Sequence, residues 1–157
     1  MHPRAEAFTE QAAELGVDVD VHEFPEGTKT AADAAEAIGC DVAQIASSIA
    51  MVADELVVVV TSGANRVSEN RIATLRDVPV DEVRLADADE IKATLGWSIG
   101  GVPPFCHDEP VPVYLDEDLT AFETVWAAAG TPEAVFPIAP DRIVEIANAT
   151  VAEVSEN

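Results

Sequence analysis

The sequence contains few cysteines, no long apolar segment and no leading targeting segment, and each shortage excludes a class of protein. Its two cysteines, Cys40 and Cys106, are too few for a disulfide framework and lack the paired spacing of a zinc site. Apolar runs such as 56–60 are far shorter than the ~20 residues that cross a membrane. We therefore expect a cytoplasmic protein with free thiols and no membrane contact.

The motifs of several enzyme classes are missing as well. The three histidines, His2, His22 and His107, occur in no HxxxH, HxH or HExxH arrangement, so the sequence predicts no metal site. A GxSxG elbow, a GxGxxG fingerprint and a GxxxxGK[ST] loop are also absent. The sequence thus predicts no cofactor and argues against serine hydrolases, dinucleotide enzymes and P-loop nucleotidases.

Positive charge is scarce, and its scarcity indicates a particular solvent. Thirty Asp and Glu against eight Lys and Arg give a formal charge of −22, although 48% of the residues are hydrophobic, which is too many for a disordered acidic chain. Lys29 and Lys92 are the only lysines. Such a surface suits a halophilic protein, because concentrated salt screens charge repulsion with a Debye length of ~3 Å at 1 M.

Four of the six arginines lie between Arg66 and Arg84, and the stretch 66–76, with three arginines and one acid, has a net charge of +2. They allow two interpretations. They pair with surface carboxylates, or they form a patch that faces the phosphates of a nucleic acid.

Periodicity and capping signals divide the chain into short helices and strands within one domain, 1–157. They predict helices over 4–15, 30–39, 68–75, 87–96 and 141–147, with Thr30, Ser68 and Asp87 as N-caps. They also predict strands over 17–24, 45–52, 56–61, 83–85, 111–115, 122–126, 134–138 and 151–154, of which 45–52 and 56–61 form a hairpin. No regular βαβ repeat occurs, so the fold class is α+β.

The segment 96–107, GWSIGGVPPFCH, is the clearest candidate for a ligand-binding loop. Gly100 and Gly101 allow close approach to main-chain N–H groups, and Pro103 and Pro104 stiffen the path that follows. Aimed N–H donors bind a carbonyl or a developing oxyanion. The alternative is a plain tight loop between a helix and a strand.

Two neighbouring features allow both a functional and a structural interpretation. Cys106 and His107 suggest a nucleophile with its base, but adjacent residues rarely point at each other, which favours a packed thiol and a pocket-lining histidine. The turn 62–66 follows a core strand, and its amides together with Arg66 could hold a phosphate or a ribose, or form a bare turn.

Several motifs, in this order, resemble the YbaK/EbsC family, free-standing relatives of the editing domain of bacterial prolyl-tRNA synthetases. They are 24–31 (FPEGTKTA), 44–45 (QI), 62–67 (SGANRV), 99–105 (IGGVPPF), 125–132 (VWAAAGTP) and 134–136 (AVF). The resemblance implies a mixed, barrel-like β-sheet flanked by short helices. It also implies hydrolysis of the ester that joins a wrong amino acid to tRNA, typically tRNA-Pro, with cysteine or alanine as the amino acid.

The resemblance assigns roles to individual residues. Gly100 and Gly101 match the glycine pair that faces the substrate carbonyl, and Thr30 matches a position beside the amino-acid pocket. Asn65 and Arg66 match a turn near the terminal adenosine. The remaining substrate-binding candidates adjoin these motifs: Lys29, Ser62, Gly63, Val102, Pro103 and His107.

The sequence departs from the family at Ser47, where the relatives usually carry a lysine. A hydroxyl gives a neutral hydrogen bond, whereas a charge-assisted one is about twice as strong. We expect Ser47 to take part in catalysis with a shifted substrate or a lower rate, and Lys29 offers a charge from another direction. Cys106 and Glu133 replace a common glycine and a common histidine.

Three functions follow from these observations. The first is a trans-acting aminoacyl-tRNA deacylase that binds tRNA and works alone or beside a synthetase. The second is a weakened module that only binds an aminoacyl-adenosine-like ligand or a synthetase. The third is a hydrolase of another small ester or amide. The sequence leaves the oligomeric state open, because it carries no sustained heptad pattern.

Overall fold

The computed structural model describes residues 2–24 and 30–156. The helices of this part are α1 (Pro3–Glu14), α2 (Ala31–Ile38), α3 (Glu69–Arg76), α4 (Ala88–Leu95) and α5 (Pro140–Ala147). The strands are β1 (His22–Glu23), β2 (Ile45–Ala53), β3 (Glu55–Ser62), β4 (Arg84–Leu85), β5 (Val113–Asp116), β6 (Val125–Ala128), β7 (Ala134–Ile138) and β8 (Thr150–Ala152). Short 3₁₀ helices cover Val42–Gln44, Val80–Glu82 and Glu117–Ala121.

Side-chain caps begin three of these helices, at the residues that the sequence predicts. The side chains of Thr30, Ser68 and Asp87 accept hydrogen bonds from the N–H groups three residues ahead. Such bonds satisfy N–H groups that the first helical turn leaves without an intrahelical partner. At the other end, Gly39 and Gly96 adopt left-handed conformations that stop α2 and α4.

The eight strands form one mixed sheet in the order β1-β7-β6-β2-β3-β5-β8, and β4 pairs with β2 outside this path. β2 and β3 form the predicted antiparallel hairpin. β2–β6, β3–β5 and β5–β8 are parallel pairs. The predicted mixed sheet flanked by short helices is therefore confirmed.

β3 lies inside the sheet, between β2 and β5, and is buried on both faces. Val58 and Val60 belong to the main core together with Phe8 of α1, whereas Val57 and Val59 pack in a second cluster under α3. A strand covered on both faces has a continuous apolar run instead of an alternating one. This burial explains the uninterrupted apolar segment 56–60 in the sequence.

Two predicted strands are wrong in extent. The alternation over 17–24 reflects burial, because Val17, Val19 and Val21 pack on the main core, but only His22–Glu23 pairs with β7. The strand predicted over 122–126 begins at Val125. The chain before it coils into Glu117–Ala121, because the carboxylate of Asp116 caps this turn through the N–H of Asp118.

Candidate functional site

A pocket of about 340 Å³ lies beside β2, on the side away from β3. On this side, β2 pairs with β6 at Ile45 and Ala46, and with β4 at Met51 and Val52. Within residues 2–24 and 30–156, no strand pairs with the stretch between these two contacts on that side. The sheet therefore splits over a short length of β2 and leaves a gap from which the pocket extends.

The described residues that line the pocket are apolar or uncharged. α4 contributes Ile91, β6 contributes Trp126, and Leu85 and Ile99 stand at the mouth with 65% and 61% of their surface exposed. The other lining residues are Thr30, Ala31, Ala34, Ile45, Ala46, Ser47, Ser48, Ile49, Ala50, Ala86, Gly100, Val102, Ala128, Pro132 and Val135. The pocket thus suits a small, largely apolar group with a few polar atoms.

A tight turn brings the glycine loop to the pocket. The N–H of Gly101 donates to the carbonyl of Ser98 at 3.0 Å, and Gly100 has a φ of 86°, as the third residue of a type II turn requires. Gly100 and Val102 line the pocket. Gly101 lies behind them, where an added Cβ would approach Thr131 Cα to 2.7 Å. The two glycines therefore differ, because only Gly100 presents its backbone to the pocket.

A hydrogen bond from the side chain of His107 holds this loop in place. His107 Nε2 donates to the carbonyl oxygen of Pro103 at 2.9 Å, which makes His107 a clamp of the loop and not part of the pocket lining. Burial lowers the pKa of His107, and the bond to Pro103 opposes that shift. At neutral pH the imidazole is therefore uncharged, with its proton on Nε2.

The start of the loop is fixed by the indole of Trp97 and by α1. Trp97 Nε1 donates to the carbonyl of Cys106 at 2.8 Å, and the guanidinium of Arg4 lies 4.6 Å from the Trp97 ring centroid. Arg4 also donates to the carbonyl of Gly96. The N-terminal helix thus supports the loop that borders the pocket.

Cys106 packs against the main core and does not line the pocket, in agreement with the packed thiol that the sequence favours. Desolvation, followed by the charge of Glu14, raises the pKa of its thiol to about 11. The thiolate is the nucleophilic form, so Cys106 is a poor nucleophile at neutral pH. Its φ of 66° explains why glycine suits this position.

Ser47, Ser48 and Thr30 meet at the pocket from two elements. Ser47 and Ser48 lie in the stretch of β2 between its contacts with β6 and β4, with side chains on opposite faces of the sheet. Thr30 precedes α2, and its hydroxyl accepts from Asp33 N–H at 3.1 Å. The predicted Lys29 and the rest of 25–29 lie outside the described residues.

The turn 62–66 lies outside the pocket, because none of its residues lines the cavity. The carboxylate of Asp116, which is 1% exposed, accepts from Thr61 Oγ1, the N–H of Ser62 and Nδ2 of Asn65. An added Cβ on Gly63 would lie 2.6 Å from the carbonyl oxygen of Val42, in the 3₁₀ helix Val42–Gln44. These contacts give Ser62, Gly63 and Asn65 a structural role at the end of the β2–β3 hairpin.

The sequence interpretation missed Asp116. Its only signal is an acidic residue directly after three apolar strand residues, 113–115.

Carboxylates partner most of the clustered arginines. Arg71 contacts Glu153 at 3.1 Å, Arg76 contacts Glu55 at 2.7 Å, and Arg84 contacts Glu90 at 2.7 Å. These contacts favour the surface-pairing interpretation over a phosphate patch. Arg66 is exposed beside the hairpin end, and its proposed contact with the tRNA end stays a prediction.

No helix within residues 2–24 and 30–156 has the length and apolar character needed to span a membrane. The same residues include no group of three or more His, Cys, Asp or Glu side chains that could hold a metal ion.

Comparisons with known proteins identify the family. The model of the aminoacyl-tRNA editing domain family matches residues 25–146. The uncharacterized protein YwhH of Bacillus subtilis (strain 168) is 30% identical over 128 residues, which are 80% of either chain. A crystal structure described as a candidate trans-editing enzyme for prolyl-tRNA synthetase superposes with a TM-score of 0.93 and 36% identity, covering 100% of this chain and 99% of the other.

A second solved structure shares this fold. The hypothetical protein APE2540 superposes with a TM-score of 0.83 and 28% identity, covering 94% of this chain and 97% of the other. The split sheet, the glycine turn and the matched motifs agree with this family match. The chain belongs to the aminoacyl-tRNA editing domain family, as its sequence motifs predict.

Proposed function

We propose that the protein is a trans-acting hydrolase that removes a wrong amino acid, cysteine or alanine, from tRNA-Pro in the cytoplasm. The observation that carries the proposal is the pocket between residues 47–50 of β2 and the turn at Gly100, whose described lining residues carry no charge. Its volume of about 340 Å³ accommodates a small aminoacyl group. The family membership and the relative described as a trans-editing enzyme support the same substrate class.

The backbone supplies the chemistry that an activated ester needs. The N–H of Gly100 polarises the ester carbonyl, while the N–H of Gly101 closes the turn and Val102 lines the pocket. Water, or a thiol of the substrate itself, adds to the carbonyl carbon. The intermediate then expels the ribose oxygen, which takes up a proton and leaves deacylated tRNA. Ser47 and Thr30 border the aminoacyl group, and no protein nucleophile is required.

The test is deacylation of labelled Cys-, Ala-, Ser- and Pro-tRNA-Pro in concentrated KCl by the wild type and by Ser47→Lys. We expect the wild type to release one non-proline amino acid from tRNA-Pro. A module that only binds, which the missing cation at Ser47 favours, would instead show no turnover until Ser47→Lys restores it. Hydrolysis of short esters without any hydrolysis of aminoacyl-tRNA would contradict the tRNA substrate.

A further inference from the structure

Hydrogen bonds made by other residues of β2 show in which direction the main-chain N–H and C=O groups of Ser48 point. The N–H of Gly63 donates to Ile45 O at 2.8 Å towards β3, and the N–H of Ala86 donates to Ala50 O at 3.0 Å on the opposite side. Consecutive strand residues direct their N–H and C=O groups alternately to the two sides. The main-chain groups of Ser48 therefore point away from β3 and into the gap beside the pocket.

The side chain of Ser48 is the second unusual feature of this position. Its Oγ is buried and has no hydrogen-bond partner in the described chain, although Ser48 lines the pocket. Ser48 pairs in register with Val60, on the face of the main core, whereas Ser47 pairs with Thr61 on the other face. A buried hydroxyl without a partner is rare in folded proteins, so its place at the wall of the pocket makes it a candidate for binding a polar ligand atom.

An aminoacyl ester carries an α-ammonium group that such a position can bind. This group has three N–H donors and no acceptor, and burying it without acceptors is costly. None of the described residues that line the pocket has a charged side chain. Ser48 offers two acceptors, its carbonyl oxygen and its hydroxyl oxygen, in the stretch of β2 between its contacts with β6 and β4.

We propose that Ser48 binds the α-ammonium of the aminoacyl group and thereby directs the ester carbonyl towards Gly100. Ser48 is then a substrate-binding residue that selects a free amino group, and Ser47 borders the substrate from the opposite face. This inference rests on the proposed deacylase function. It goes beyond that function by assigning the recognised chemical group, a primary ammonium, to one residue.

The test compares Ser48→Val with Ser48→Thr, because valine and threonine have the same shape and differ in the hydroxyl. The substrates are alanyl-tRNA-Pro and N-acetylalanyl-tRNA-Pro, which lacks the ammonium. We expect the wild type and Ser48→Thr to prefer the free amine by about tenfold or more in kcat/KM. Ser48→Val reduces this preference, because it removes the hydroxyl acceptor and its rate falls on the free amine alone. Equal losses on both substrates, or an unchanged preference, would overturn the assignment.

A binding measurement separates this inference from the deacylase function. Calorimetry with 3′-(alanylamino)-3′-deoxyadenosine, which has a stable amide in place of the ester, reports ammonium recognition without turnover. We expect Ser48→Val to weaken its Kd by about tenfold, Ser48→Thr to preserve it, and the N-acetyl analogue to bind all three proteins weakly. If these affinities are found but the protein hydrolyses no aminoacyl-tRNA, the proposed deacylase function is refuted and the ammonium site at Ser48 is supported. Equal affinities of the Val and Thr variants would refute the site.

Discussion

Gly101 shows how one residue can shape the site without touching the substrate. An added Cβ would lie 2.7 Å from Thr131 Cα and 2.9 Å from Thr131 N, and a backbone cannot move aside as a flexible side chain does. We expect Gly101→Ala to destabilise the fold by about 1–3 kcal/mol through overpacking. Because the turn shifts, kcat/KM for deacylation also falls. Thermal unfolding and steady-state kinetics measure the two effects.

Gly16 provides the matched control for this substitution. It has a φ of 80°, but an added Cβ meets nothing within 4 Å. Gly16→Ala should therefore cost only the left-handed strain of about 1–2 kcal/mol and leave kcat/KM at the wild-type value. If Gly101→Ala also kept its full kcat/KM, the close packing of the loop on Thr131 would have no role in catalysis.

His107 links the stability of the loop to pH. Its pKa in the folded protein lies below the ordinary value of 6.5, mainly because burial penalises the imidazolium. The unfolded chain therefore binds more protons in mild acid. The stabilising contribution of neutral His107 is complete above pH 6.5 and is lost as the pH falls below that value.

We expect His107→Gln to reduce the pH dependence of the free energy of unfolding in mild acid. A single histidine contributes at most about 1.4 kcal/mol per pH unit, and glutamine can still donate an N–H to Pro103 O without titrating. Denaturant unfolding at several pH values from about 7 to 5 gives the two slopes. Identical slopes in both proteins would show that His107 titrates alike in the folded and unfolded chains.

At the scale of elements, α4 carries Ile91 to the pocket, and a reciprocal cap fixes where this helix begins. Asp87 accepts from the N–H of Glu90 at 2.8 Å, and Glu90 accepts from the N–H of Asp87 at 3.0 Å. Asp87→Ala should cost about 1 kcal/mol, as the loss of an N-cap usually does. Asp89 lies in the same turn but makes no capping bond. Asp89→Ala should therefore cost only a few tenths of a kcal/mol, the contribution of an exposed charge near the helix dipole. Equal melting temperatures would contradict the cap.

The same elements show what the sequence could predict. Local signals were sufficient for the caps at Thr30, Ser68 and Asp87 and for the hairpin, because side-chain caps and apolar runs act over a few neighbouring residues. The motif at Gly100 likewise indicated the loop that borders the pocket. Alternation failed over 17–24, because a chain buried on the core shows the same pattern with or without a partner strand.

The split beside β2 could not be predicted, because it depends on two short strands from distant parts of the chain. β6 reaches only Ile45 and Ala46, while β4 reaches only Met51 and Val52. No local pattern records where two such pairings stop. The sequence therefore directed attention to Ser47 through the family lysine, whereas the three-dimensional arrangement shows that its neighbour Ser48 carries the buried hydroxyl.

At the scale of the whole molecule, the acidic surface conflicts with a polyanionic partner. The protein has a formal charge of −22, and carboxylates already occupy Arg71, Arg76, Arg84 and Arg142. Most proteins that bind nucleic acids lose affinity as salt rises, because their cations release counterions from the phosphates. Among the described residues few cations are free to do so, and we expect long-range repulsion between the protein and the proposed tRNA partner to dominate at low salt.

We therefore expect salt to promote both folding and deacylation. The Debye length falls from about 10 Å at 0.1 M to about 3 Å at 1 M, so KCl screens both the self-repulsion of the folded chain and its repulsion of tRNA. Across that range the melting temperature should rise and the KM for aminoacyl-tRNA should fall. Sucrose of equal osmolarity separates screening from solvent exclusion, because it leaves charges unscreened. A melting temperature that is highest in dilute buffer, or a KM that rises with KCl, would mean that local cations outweigh the acidic surface.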